Sequence, residues 1–396
     1  MSATPDRPGA GVFNVTAQER IVFGNPAGEA VVAEARTYGA SRVFVTSTRS
    51  LAQKENGPLQ RLERALGAAH AGTYSAIRSH SPREDVVAGA RAAREARADL
   101  MVAVGGGSVI DATKAMLLCL WRGLDTPEAM EPYCSGFERT RSAAPVLPAD
   151  PIRMISVSTT LSAAEFTENA GITQSATNTK QSFRHRLFAP RSIVLDPAAT
   201  LDTPDWLLFC TGIRAVDHAV EHYCNPRANP ATEATSLQGL RLLHRALPTI
   251  KRNPRDLASR LEAQFGMWQA IAAGAAGVPT GASHGIGYAL GATFGVAHGH
   301  TSCVMLPAVL KWNAAVNAGR QKALSEAMGA PDRPAWELVK ELIAGLDQPV
   351  TLREVGIKRE NLDELARRAL EYHPVKVNPR PIRAAADVKE ILELAW

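Results

Sequence analysis

Cysteine is scarce in this chain: five among 396 residues, Cys119, Cys134, Cys210, Cys224 and Cys303, with no C-x-x-C pair. That spacing gives no zinc-ribbon or thioredoxin-type signal, and an odd count leaves one thiol unpaired in an oxidising compartment, so a reducing cytoplasm is the expected location. No apolar run approaches the ~18 residues that a membrane span requires. The opening MSATPDRPGAGVFNV has no basic segment followed by an apolar one, so an unexported protein without a membrane partner is expected. Like charges do not cluster either: 44 basic and 39 acidic side chains are dispersed, with a formal net charge of +5. This disfavours nucleic acid as a partner and leaves a mild bias toward small anionic molecules. No internal repeat is present.

What remains is ordinary globular composition, 45% hydrophobic and 21% charged, in a chain long enough for two domains. The first half alternates short β-rich runs, VFVT (43–46), LMVAV (100–104), MISV (154–157) and SIVL (192–195), with amphipathic helical patterns such as 86–98. That alternation predicts a parallel sheet with helices on both faces. After Asp196-Pro197 the pattern is helical throughout, in TPDWLLFCTGIRAVDHAVEHY, TSLQGLRLLHRALPTI, SRLEAQFGMWQAIAAGAA and DVKEILELAW. Thr203 followed by Pro204 reads as a helix start. The expected organisation is a loose N-terminus over 1–12, an α/β domain over 13–199 and an all-helical domain over 200–396, with the functional cleft between the two. Residues 121–151, proline-bearing and aperiodic, read as a surface insertion.

The strongest local motif is GGGSVIDATKA, Gly105 to Ala115, placed directly after the strand LMVAV. Glycines let a ligand approach the backbone, and a strand passing through them into a helix N-terminus forms an anion site suited to a pyrophosphate. Ser108 with Asp111 three residues on has the form of a capping box. A tight turn whose glycines serve packing is the alternative, and the run is not G-x-G-x-x-G. The strand VFVT ends in Ser47, with Arg49 close behind. With no carboxylate there to repel a 2′-phosphate, NADPH is expected to be tolerated alongside NADH; a plain surface turn is the other reading. Thr159 and Thr160 offer hydroxyls after MISV, although such residues also serve backbone groups. In the helical half, His218 and His222 lie one helical turn apart, as do His284 and Tyr288, with His298 and His300 following. Such a cluster suggests metal binding or acid–base work, while any single member is as readily a hydrogen-bonded structural histidine.

These motifs in this order resemble the iron-containing (group III) alcohol dehydrogenase family, over nearly the whole chain from IVFGNPAG onward. The family's G-G-G-S-x-x-D-x-x-K-A stands here as GGGSVIDATKA, its I-P-T-T-x-x-x-S-E-x-T as SVSTTLSAAEFT with Ala164 where serine is usual, and its G-x-D-A-x-x-H-A-x-E as GIRAVDHAVE. Its H-x-x-x-H-x-x-G with a later histidine stands as His284, Tyr288, Gly291 and His298. The tail YHPVKVNPRPIRAAADVKEILELAW is similar to the N-P-R-P-containing end of maleylacetate reductases. The resemblance implies a dehydroquinate-synthase-like fold, a homodimer, and an NADH or NADPH cofactor. The cofactor would rest on Ser47, Gly105, Gly106, Gly107, Ser108, Asp111, Thr159, Thr160 and Lys180.

In metal-dependent members an aspartate and three histidines hold iron or zinc. The histidines correspond to His218, His284 and His298, but the aspartate position holds Arg214, and Tyr288 stands where histidine is usual. A guanidinium stays charged and cannot ligate, so weak or absent Fe2+ or Zn2+ is expected. Asp217 lies about 100° round an ideal helix from His218 and is not expected to replace the lost ligand. The expected activity is an NAD(P)H-dependent reductase for a small anionic oxo or unsaturated acid. If the maleylacetate branch is right, the product is 3-oxoadipate, in aromatic compound degradation. Arg214, His218, His284 and His298 would bind and polarise the anion, with His284 or Tyr288 handling the proton. The rivals are a metal-dependent alcohol dehydrogenase acting on an aldehyde or primary alcohol, and a degenerate homologue that binds nucleotide without turnover.

Overall fold

The computed structural model describes residues 12–134, 147, 150–177 and 179–396. The expected loose N-terminus falls outside the described residues apart from Val12, as do residues 135–146, 148 and 149 of the expected insertion. The strands are β1 (Arg20–Phe23), β2 (Val43–Thr46), β3 (His70–Tyr74), β4 (Leu100–Gly105), β5 (Arg153–Ser158), β6 (Asn169–Gln174), β7 (Thr179–Arg184) and β8 (Ser192–Leu195). Among them run α1 (Ala27–Thr37), α2 (Arg49–Ala52), α3 (Pro58–Leu66), α4 (Arg83–Glu95) and α5 (Gly107–Arg122). Then follow α6 (Asp205–Cys224), α7 (Pro230–Arg252), α8 (Leu257–Ala275), α9 (Ala282–Phe294), α10 (His298–Ala327), α11 (Ala335–Gly345), α12 (Leu362–Ala369), α13 (His373–Lys376) and α14 (Ala385–Leu394). No helix among the described residues is long and apolar enough to cross a membrane.

The chain divides into two compact units. One comprises Thr16–Leu208 with Arg252–Gln264; the other comprises Phe209–Lys251 and Phe265–Trp396 together with residues 12–15. Residues 252–264 group with the sheet because α8 begins there: Arg260 Nη1 donates to the Thr200 carbonyl at 3.0 Å and Gln264 Nε2 to the Asp196 carbonyl at 3.3 Å.

The first unit holds a six-stranded sheet in the order β1-β8-β5-β4-β2-β3, with every pairing parallel. Side chains of a strand point alternately to its two faces, and here each face has its own core. Leu100, Val102 and Val104 of β4 pack with Val31 and Leu59 of α1 and α3. Met101 and Ala103 pack with Val86 and Ala90 of α4 and Met116 of α5. The four predicted strands are therefore apolar almost throughout, as strands covered on both faces must be. β1 and β3 escaped the sequence pattern because they are the edges, only partly buried and, in β3 (HAGTY), short of large apolar residues. The antiparallel hairpin β6–β7 was also unread: its residues are mostly polar, with Ala170, Ile172 and Phe183 turned into the α5 side. The expected insertion begins later than predicted, since α5 continues through Trp121 and stops at Gly123, whose φ of +65° suits a residue without Cβ.

Among its described residues the second unit is helical. Ile286 and Leu290 of α9, Val304 and Trp312 of α10, Leu365 of α12 and Ile391 of α14 form its core.

Candidate active site

In an open parallel sheet, ligands bind beyond the carboxyl ends of the strands where the winding reverses direction. Here that point lies between β2 and β4, because the chain runs from β2 outward to β3 and returns to the other side of β2. Ser47 and the glycine run terminate these two strands. None of Gly105, Gly106 or Gly107 has a positive φ; what they allow is close approach. A Cβ on Gly106 would lie 2.8 Å from Thr160 Cγ2, and one on Gly107 would lie 3.2 Å from Ser162 Oγ. Thr160 Oγ1 and Ser162 Oγ are buried without a hydrogen-bond partner, beside the Gly107 and Ser108 amides, which a helix start leaves without intrahelical acceptors. Unfilled donors around a helix N-terminus suit a phosphate group.

Three details differ from expectation. Gly106, not Ser108, is the N-cap of α5, with no side-chain cap bond. Ser108 Oγ instead accepts the His80 amide at 3.1 Å. Asp111 accepts the Gly171 amide of β6 at 3.0 Å, with Lys180 of β7 beside it; burial raises its carboxyl above the ordinary range against the pull of Lys114 and Lys180. The capping box is therefore absent, and both residues reach toward other segments. Ser47 is buried and donates to the Val104 carbonyl at 2.9 Å. Thr159 lends its amide to the Gly105 carbonyl and its carbonyl to the Thr203 hydroxyl.

In the helical unit, three helices converge. α6 presents Arg214, Asp217, His218 and Glu221 at spacings of three and four residues, one side of a helix. α9 contributes His284 and Tyr288, and α10 contributes His298 and Ser302. The rings of His218 and His284 lie 4.7 Å apart. Tyr288 stacks on His298 at 6.0 Å, meets His284 edge-on at 6.3 Å, and has the Arg214 guanidinium 5.8 Å from its ring centre. The five residues predicted from sequence are thus brought together. His222 stacks on His218 at 5.8 Å, but its Nδ1 meets the Ala270 carbonyl at 3.1 Å and its ring lies against Gly274. His300 lies beside Gln348.

Two carboxylates that sequence reasoning had not assigned order the group. Glu221 accepts the Gly281 and Ser283 amides at 2.8 and 2.7 Å, capping α9, and takes His284 Nδ1 at 2.8 Å. Asp217 accepts the Ser283 hydroxyl at 2.8 Å and lies 3.3 Å from the same nitrogen. Their signal was the i, i+3, i+7 spacing from Arg214. Asp217, set aside as facing away from His218, in fact meets a ring from α9. With Nδ1 engaged, His284 Nε2 is left buried and unpartnered, as is His218 Nδ1. Burial pushes both imidazoles toward neutrality. His218 falls well below its ordinary value, with His284 and Arg214 adding to the effect. For His284, burial and Arg214 are outweighed by Asp217 and Glu221, and its value is raised.

The N-P-R-P segment braces this architecture. Asn378 Oδ1 accepts the Ala282 amide at 3.2 Å while its Nδ2 donates to Asn313 at 2.7 Å, fixing the start of α9 against α10.

Comparison with known proteins bears on the family and the fold. Residues 18–197 match the model of the iron-containing alcohol dehydrogenase family, and residues 209–396 match that of the family's C-terminal part. The dehydrogenase FUM7 of Gibberella moniliformis is 32% identical over 416 residues, spanning 95% of each chain. A maleylacetate reductase of Sphingobium indicum is 31% identical over 364 residues, 92% of this chain and 91% of its own. The crystal structure of maleylacetate reductase from Agrobacterium tumefaciens superposes with a TM-score of 0.81 at 26% identity, covering 97% of each chain. The chain therefore belongs to the iron-containing alcohol dehydrogenase family, on the side of its maleylacetate reductases, and is an NAD(P)-dependent oxidoreductase.

Proposed function

We propose that this protein reduces a small anionic oxo or unsaturated acid with NADH or NADPH, in the manner of a maleylacetate reductase, and does so with weak or no metal. Maleylacetate, NAD(P)H and a proton would give 3-oxoadipate and NAD(P)+, a step in aromatic compound degradation, carried out by a cytoplasmic homodimer. The observation that carries this reading is Arg214: only 5% exposed, bonded to Ser302, and close enough to act on both His218 and His284.

The donor set does not suit a divalent ion held as in metal-dependent relatives. A fixed cation stands where a carboxylate ligand would be, and like charges in a buried site repel strongly. Among the described residues, the group whose potential ligand atoms lie within 4.8 Å of one another is Asp217, Glu221 and His284. Glu221 there is already occupied by backbone amides and by His284. Instead, Arg214 can take a substrate carboxylate through two parallel N–H donors and stabilise negative charge on the enolate oxygen. The nicotinamide cofactor supplies the hydride when bound. His284, steadied through Nδ1, or the Tyr288 phenol supplies the proton.

One observation favours a second reading, a metal-dependent alcohol dehydrogenase. An imidazole whose Nδ1 binds a carboxylate and whose Nε2 is bare is held as metal-ligating histidines are held, and His284 has that form. Two measurements on protein purified without chelators test the proposal: NAD(P)H consumption with maleylacetate, and metal content. Turnover that survives EDTA supports it. Stoichiometric iron or zinc, with activity lost to chelator and restored by metal, overturns it in favour of the alcohol dehydrogenase. Nucleotide binding without turnover of any enoate or carbonyl would mark a degenerate homologue.

A further inference from the structure

We propose that Lys114, the lysine of the glycine-rich motif, is a positioning residue for the cofactor: its ammonium clasps the 164–169 segment and so holds the Thr160 and Ser162 hydroxyls against the glycine turn. This rests on the reading that the cofactor's pyrophosphate lies at Gly106, Gly107 and Ser108. A lysine at the tenth position of such a motif invites the role of a phosphate ligand, but the geometry assigns it elsewhere. Lys114 is wholly buried, and its Nζ donates to the carbonyls of Ala164 at 2.6 Å, Thr167 at 2.8 Å and Asn169 at 2.8 Å. An ammonium has three N–H groups, and these carbonyls account for them.

The clasped segment needs such a hold. It follows Ala163, whose φ of +62° is left-handed, a conformation that a non-glycine residue keeps only where its surroundings enforce it. The Ala164 carbonyl also takes the Thr167 amide and hydroxyl, but it is the lysine that gathers it with the Thr167 and Asn169 carbonyls at one buried point. On the near side of Ala163, Thr160 packs on Gly106 and Ser162 on Gly107 with both hydroxyls unpartnered. On α5, Gly107, Asp111 and Lys114 share one face at spacings of four and three, so the clasp and the turn belong to the same helix side.

The groups facing the ammonium are Asp111 on its own helix and Glu165 and Glu168 on the clasped segment, and Lys180 of the hairpin acts on Asp111 as well. Burial outweighs these carboxylates and brings Lys114 down from 10.5 to about 8. A neutral amine has two donors and a lone pair, so the hold on three carbonyls loosens in mildly alkaline solution.

The test is NADH affinity, followed by the cofactor's fluorescence on the full-length protein between about pH 7 and about pH 9.5. The wild-type dissociation constant should rise about tenfold across that range, the effect of losing an ionised buried donor. Lys114→Arg, charged throughout, should show a flat profile. Lys114→Met should bind about tenfold more weakly even at the lower pH, with its circular dichroism unchanged. If Lys114→Arg does not fold, the wild-type profile and Lys114→Met decide the matter. A flat wild-type profile, or wild-type affinity in Lys114→Met, overturns the proposal. Since no substrate enters the measurement, failure of maleylacetate as a substrate leaves it intact. A wild-type protein that binds neither NADH nor NADPH overturns the assigned pyrophosphate site and the clasp together.

Discussion

The guanidinium of Arg214 donates to the hydroxyl of Ser302 across 3.0 Å, tying α6 to α10 through a charge almost wholly removed from water. Such a charge persists when counter-charges face it, and here Asp217, one helical turn along α6, is held below its usual range: burial pushes its carboxyl up, but His284 and Arg214 together overcome that.

Replacing Arg214 with alanine should lower kcat/KM for an anionic substrate by about 10²-fold, the scale of losing a charge-stabilising donor, and leave the NADH dissociation constant unchanged. Arg214→Asp should gain affinity for zinc, read by metal analysis after dialysis. Equal metal content in wild type and Arg214→Asp would show that this residue does not block the site.

Glu221 caps α9 with both oxygens. Glu221→Ala leaves the Gly281 and Ser283 amides and His284 Nδ1 without their acceptor, so the midpoint of urea unfolding should fall, by about 3 kcal/mol of stability. Glu221→Gln keeps one accepting oxygen and should cost about half as much. An unchanged midpoint for Glu221→Ala would mean that α9 is capped from elsewhere.

His222 is buried against the Ala270 carbonyl, and burial pulls its value from 6.5 to about 4. In the unfolded chain it takes up a proton below about pH 6.5, while in the folded chain it stays neutral to about pH 4. The stability of the folded form is therefore full above the first value and is lost as pH falls toward the second, by about 3 kcal/mol in all. His222→Gln should flatten the acid side of the stability curve between those values. Parallel curves for wild type and variant would refute the assignment.

Gly106→Ala brings a methyl group to 2.8 Å from Thr160 Cγ2 with no backbone strain, since φ at Gly106 is −88°. The hydroxyl segment must shift by a few tenths of an ångström. Cofactor affinity should fall about tenfold, a misplaced-donor effect, with thermal stability nearly unchanged. Affinity equal to wild type would show that this approach does not matter to the cofactor.

Several elements were legible in the residues themselves, for identifiable reasons. β2, β4, β5 and β8 are interior strands, and burial on both faces demands apolar runs that mark them. β1, β3 and the β6–β7 hairpin meet water on one side, so nothing in their composition distinguishes them from loops. The grouping of Arg214 with His218, and of His284 with Tyr288, follows from helical periodicity alone. What each partner does across helices does not: Ser108 and Asp111 share a turn of α5, yet their acceptors are used by His80 and Gly171, from segments far away in the chain.

By itself, then, the sequence determined the two-part architecture's α/β and helical classes, the glycine turn, the motif order of the family and the presence of an arginine, Arg214, one helical turn before His218. All of these are local patterns, and local backbone geometry follows from a residue and its near neighbours. Only the tertiary structure decided that Glu221 and Asp217 share His284 Nδ1, that Asn378 braces α9 and that Lys114 turns inward to three carbonyls. Those pairings join residues from 50 to 96 positions apart, and they form because a buried donor or acceptor must find a partner wherever packing has placed one.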